Sequence, residues 1–145
     1  MKVIVCLDDN NGMLFNKRRQ SQDKAVRLNM INHLHGQKLW MNEYSAKQFE
    51  ESFQDSIAID ENPVENAGKA DYCFAENFTL SSYEEKILEL IVYRWNRKYP
   101  ADMHLNIDLS NWKLIHIEEF PGNSHEKITR EEYIRGITGE EKCKR

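Results

Sequence analysis

No apolar run in this chain approaches the roughly 20 residues that span a bilayer, and no secretory leader follows Met1, so the expectation is a soluble, cytoplasmic protein with no membrane partner. Cysteine is scarce. Cys6, Cys73 and Cys143 are odd in number, far apart and without C-x-x-C spacing, which argues against a disulfide framework or a zinc knuckle and for reduced thiols. The Gly-rich loops that cradle phosphate are missing: neither G-x-x-x-x-G-K-[ST] nor G-x-G-x-x-G occurs, Gly-Gly occurs nowhere, and the nucleophile elbow G-x-S-x-G is absent too. Positive charge is not in excess. With 20 Lys and Arg against 24 Asp and Glu, the net charge of −4 gives no general attraction to nucleic acid or anionic lipid, and a polyanion would need a local patch. The pair His33-Leu34-His35 has no following Asp-His, so the H-x-H-x-D-H metal motif is incomplete and no metal site is expected. His104, Asn106 and Asp108 show only the two-residue spacing of any wet strand face.

What is present reads as one α/β domain over residues 1–145, with about 136–145 as a frayed tail. Val3-Ile4-Val5-Cys6-Leu7 is too uniformly apolar for a strand with one wet face and predicts a buried central strand, closed by the turn-forming Asp8-Asp9-Asn10-Asn11-Gly12. Asp23 can cap a helix whose apolar face is Val26, Met30 and Leu34, ended by Gly36. Short strands follow at 38–41, 56–60 and 72–75, with a helix between the first two capped by Ser45 and carrying Phe49 and Phe53. Ser82 with Glu85 fits a capping box for a helix running to Tyr99, with Ile87, Leu88, Ile91 and Trp95 on its buried face and Pro100 as its stop. Residues 103–109 alternate as a half-exposed strand, 112–117 form another, and Thr129 with Glu132 caps a short helix through Ile134. Cys6 and Cys73 fall in strands and read as packed side chains.

This order resembles the dihydrofolate-reductase-like fold. The carriers are the strand Val3 to Leu7, the loop Asn10-Asn11-Gly12 and the carboxylate Asp23 at the first helix. They continue with Leu39-Trp40-Met41-Asn42-Glu43-Tyr44-Ser45, which resembles the family's strand and Gly-Arg-x-Thr loop, and with the strands at 56–60, 72–75, 106–108 and 112–114. Together they cover roughly residues 2 to 120. The resemblance implies a three-layer α/β/α domain with a mixed, mostly parallel central sheet. It also implies a place for NADPH, which this chain does not furnish: Glu43 stands where the family's phosphate-binding arginine would be, and a carboxylate there repels phosphate. The family's Gly-Gly pair after a fifth parallel strand is absent, and the helix expected over 82–99 takes the place of that strand. A reductase reading is therefore disfavoured, and no cofactor is expected.

What the resemblance leaves is Asp23, the match to the family's substrate-binding carboxylate, which serves equally well as a plain helix cap. Beside it lies a basic loop, residues 17–27, with Lys17, Arg18, Arg19 and Arg27 available to an anion. The expected site joins Asn11, Gly12, Lys17, Arg18, Arg19, Asp23, Arg27 and Trp40 around a small anionic or nucleotide-like ligand. Two alternatives stand beside it: an RNA-binding or ribonuclease-type protein using the same cations, and a structural or regulatory module that binds a protein partner, a homodimer edge included. Whether the chain is an enzyme is left open.

Overall fold

The computed structural model describes residues 1–136. Ten strands and three α-helices alternate along them: β1 (Lys2–Leu7), β2 (Gly12–Phe15), β3 (Arg18–Arg19), α1 (Lys24–Asn32), β4 (Leu39–Met41), α2 (Glu43–Ala46), β5 (Ile57–Ile59), α3 (Pro63–Asn66), β6 (Tyr72–Phe74), β7 (Glu89–Arg94), β8 (Met103–His104), β9 (Trp112–Phe120) and β10 (Ile128–Arg135). Seven strands form the central sheet in the order β5-β4-β6-β1-β7-β10-β9. The first five are mutually parallel, and β10 runs antiparallel to both of its neighbours. A smaller sheet, β3-β2-β8, lies apart from it.

The near-continuous apolar composition of β1 follows from its central position, because a strand covered on both faces has no wet side. Alternate residues feed two cores. Val3, Val5 and Leu7 join Leu90, Val92, Met13, Leu14, Val64 and Ile107 on one face. Ile4, Phe74, Ile91 and Tyr93 meet Val26 and Met30 of α1 on the other. This mixed, mostly parallel sheet between covering layers is the expected fold class.

Five expectations about individual elements change. Residues 82–99 are not one helix: a 3-10 turn at Ser81–Lys86 leads into β7, the fifth parallel strand. The helical stripe misleads because β7 is buried on both faces, so its apolar residues are consecutive, while Leu88 within the supposed buried stripe is 61% exposed. Thr129 and Glu132 lie in β10, opposite Arg94 and Ile91 of β7, and cap nothing. Only Met103 and His104 of the 103–109 segment pair as a strand, against β2; Leu105 and Ile107 turn inward and Asp108 caps the next 3-10 turn. Asn42, not Ser45, caps the helix after β4, and that helix ends at Ala46 before Phe49 and Phe53. Likewise α1 stops at Asn32 with His33 as its cap, and Gly36 (φ +86°) belongs to the turn beyond. Gly136 N–H donates to Asn111 O at 2.8 Å, while the rest of the expected tail, with Cys143, lies outside the described residues.

The basic loop is a β-hairpin. Leu14 pairs with Arg19 and Phe15 with Arg18, and the turn residues Asn16 and Lys17 have φ of 51° and 63°. Positive φ at both central positions is the type I′ pattern, which matches strand twist and favours Asn-Gly. Lysine in that conformation is strained, so Lys17→Gly should raise stability by about 0.5 kcal/mol after the added unfolded-state entropy. Urea unfolding measures it, and a loss of stability would contradict the turn assignment.

Candidate functional site

The loop after β1 leads to α1 on one face of the sheet, and the loop after β6 leads to the 3-10 turn on the other. Adjacent parallel strands whose connections leave to opposite faces open a crevice at their carboxyl ends, which is where α/β folds bind ligands. Here that crevice lies between Cys6 of β1 and Ala75-Glu76 after β6. The hairpin of β2 and β3 closes it, leaving a cavity of about 10 Å³ among Cys6, Arg19, Gln20, Ser21, Glu76 and Trp95. That is room for about one water.

The closure is ionic. Glu76, 6% exposed, accepts from Arg19 Nε at 3.0 Å and Nη2 at 3.2 Å, from Ser45 Oγ at 2.7 Å and from Gln48 Nε2 at 3.0 Å. The guanidinium also stacks 4.3 Å from the Tyr44 ring, Arg19 N–H donates to Tyr44 Oη at 2.8 Å, and Nη2 donates to Tyr44 O at 3.1 Å. Although burial disfavours the charged guanidinium, Glu76 outweighs it and raises the Arg19 pKa. Cys6 stays a thiol: burial first, then the charge of Glu76, push its pKa well up against the opposing Arg19. Gln20 Oε1 is buried with no protein partner.

Two buried aspartates fix the rim. Asp8 accepts from Gly12 N at 2.7 Å, Asn10 N at 2.9 Å, Tyr99 N at 3.1 Å and Gln20 Nε2 at 3.1 Å, and these bonds overcome burial to lower its pKa. Gly12 is required there, since a Cβ would come 2.6 Å from Ala101 Cβ and 3.0 Å from Asp8 Oδ1. Asp23 caps α1 through Ala25 N at 2.8 Å and also receives Asn123 N at 2.9 Å, Ser124 N at 2.8 Å and His125 Nδ1 at 2.9 Å. The β9–β10 loop thus wraps around one carboxylate. Gly122 permits the approach, because a Cβ would meet Asp23 Oδ2 at 2.8 Å. On the far ring nitrogen, His125 Nε2 faces Ser21 Oγ and Tyr99 Oη, each at 3.0 Å, and Trp95 stacks on the ring at 4.6 Å.

Of the residues expected in the site, Gly12, Arg19 and Asp23 do meet around the crevice and its rim. Lys17 and Arg18 are exposed on the hairpin above it. Asn11 (φ 60°) accepts from Arg94 Nη1. Arg27 is turned away, bound to Glu50 Oε1 at 2.9 Å and Gln22 Oε1 at 3.0 Å. Trp40 is not beside Asp23: it packs in the opposite core layer and donates to Asp71 Oδ2 at 3.0 Å, at the amino end of the sheet. The aromatic at Asp23's side is Trp95, reached through His125. Sequence reasoning missed Ser21, Glu76, Trp95, Tyr99 and His125. Glu76, a lone carboxylate ending an apolar strand, was the one readable signal among them.

The chain has a dihydrofolate-reductase-like fold. Among solved structures it is similar to the dihydrofolate reductase from Enterococcus faecalis complexed with NADP(H) and RAB-propyl, at 11% identity and a TM-score of 0.63, over 92% of this chain and 95% of that one. No family model matches the sequence, and no curated protein matches it. The place the resemblance gives to a dinucleotide does not fit one. The groove at the carboxyl ends of β4 and β6, about 320 Å³, has no cation among its lining residues and holds Glu61, whose Oε2 accepts Glu43 N–H at 3.2 Å. No glycine pair follows any of the parallel strands: Ala75-Glu76 follows β6, and Trp95-Asn96-Arg97 follows β7.

The Asp23 carboxyl is held well below the usual range: burial raises it, but the bonds from Asn123, His125, Ser124 and Ala25 outweigh that. A depressed folded-state pKa stabilises the fold above the unfolded value near 3.9, and that stabilisation is lost as pH falls toward the folded value. Asp23→Ala should therefore cost about 3 kcal/mol at pH 7, from the lost cap and orphaned donors. The gap from wild type should narrow below about pH 3.9. Unfolding midpoints across pH 2–7 check this, and a gap independent of pH would refute it.

Proposed function

We propose that this chain is a non-reductase protein that binds a small anionic, phosphate-bearing ligand in the crevice between β1 and β6. The observation that supports it most is the two-pronged Arg19–Glu76 contact: a guanidinium held at the ligand position of an α/β fold, with a carboxylate in the pose an anion would take. When the hairpin lifts, Glu76 keeps its bonds from Ser45 and Gln48, so losing Arg19 does not leave it bare. The freed Arg19 then meets the ligand, with Lys17 and Arg18 on the same hairpin steering it in. Gln20 Oε1 is an acceptor for a hydroxyl of the ligand. Glu43 and Glu61 repel phosphate at the place where a reductase would hold NADPH, which supports a role without that cofactor.

Calorimetric titration with pyrophosphate tests this reading. Saturable binding, weakened about tenfold or more by Arg19→Ala, with a log–log salt slope of only about 1 to 2, is the expected outcome. Binding indifferent to Arg19, or NADPH-dependent reduction of dihydrofolate by the purified protein, would overturn it. A steep salt slope would point instead to an extended polyanion on the hairpin surface.

A further inference from the structure

Ser21, His125 and Asp23 stand in the order of an acyl-transfer relay. Asp23 Oδ2 lies 2.9 Å from His125 Nδ1, and Ser21 Oγ lies 3.0 Å from Nε2. The tautomer follows from the bonding. Asp23 already accepts four backbone N–H groups, from Ala25, Asn123, Ser124 and His125, and as a carboxylate can only accept, so Nδ1 carries the proton and the Nε2 lone pair faces Ser21. Stacking with Trp95 fixes the ring plane. His125 is buried, whereas Ser21 is half-exposed and lines the cavity that also holds Arg19.

We propose that Ser21 is a nucleophile activated by His125 and oriented through Asp23, and that the protein hydrolyses small carboxylic esters in this crevice. This rests on the reading that the crevice opens under the hairpin. Ser21 Oγ bonds to the acyl carbon as its proton passes to Nε2. The ester C–O bond breaks, and the leaving alcohol takes that proton. Water, deprotonated by His125, then attacks the acyl-serine; the carboxylic acid leaves and Ser21 regains its proton. Arg19, once released from Glu76, supplies positive charge for the carbonyl oxygen. An anionic group elsewhere on the ester would engage Lys17 and Arg18. Tyr99 Oη competes with Ser21 for Nε2.

Incubation with a small fluorophosphonate, followed by peptide mapping, reads the nucleophile directly. The expected result is an adduct on Ser21, slowed on the order of a hundredfold by His125→Gln. Labelling should be faster in Glu76→Gln, which loosens the hairpin, and undiminished in Tyr99→Phe, which leaves Nε2 to Ser21. A merely structural polar cluster would show no adduct at Ser21. Absence of that adduct from the folded wild type after prolonged exposure overturns the relay. Pyrophosphate titration of the same sample separates the two readings: binding without labelling removes the relay and leaves the anion site standing.

Discussion

A buried carboxylate needs partners, and the way Glu76 finds them sets the form of the functional end of this molecule. It follows β6 at the carboxyl edge of a parallel sheet, where taking a charge out of water costs several kcal/mol unless the charge is paired and hydrogen-bonded. Ser45 and Gln48, at and just beyond α2, supply two of its bonds, and Arg19 supplies two more. The requirement therefore draws the β2–β3 hairpin across the sheet and seats Arg19 against Tyr44. It also reduces the crevice to about 10 Å³. Without Arg19, Glu76 loses the cation beside it and keeps two hydrogen bonds, from Ser45 and Gln48.

Opposite this contact, Asp23 holds the other wall by the same logic. One carboxylate caps α1, gathers the loop between β9 and β10, and orients His125 against Ser21. The fold is similar to that of a dihydrofolate reductase. Glu43 and Glu61 lie together at the carboxyl ends of β4 and β5, and no glycine pair follows a parallel strand. Fold similarity at 11% identity transfers architecture and leaves function to the site.

Much of the architecture was legible because it is written in local signals. The doubly buried β1, the Asp23 cap and the Val26–Met30–Leu34 stripe each follow from burial or capping within a few residues. The failures have a common cause. Residues 87–95 carry apolar side chains at both helical and strand spacing, and only the neighbours β1 and β10 decide between them. Ile128–Arg135 was misread for the same reason, as its pairing partners lie far back in the chain. At the site, local reading found Arg19 and Asp23 but not what they bind: Glu76 and His125 are 57 and 102 residues away. Trp40, expected beside Asp23, instead turns its indole to Asp71 at the other end of the sheet, a contact 31 residues along the chain that no local signal marks.

The Glu76–Arg19 contact holds the hairpin over the crevice between β1 and β6. Amide hydrogen exchange of wild type and Glu76→Gln, resolved by peptide, tests it most directly. In Glu76→Gln, peptides covering residues 12–20 should lose protection by roughly tenfold or more, about 1.4 kcal/mol of local opening, while β1 and β7 exchange unchanged. Unaltered protection of the hairpin, or a uniform loss across the whole sheet, would contradict it.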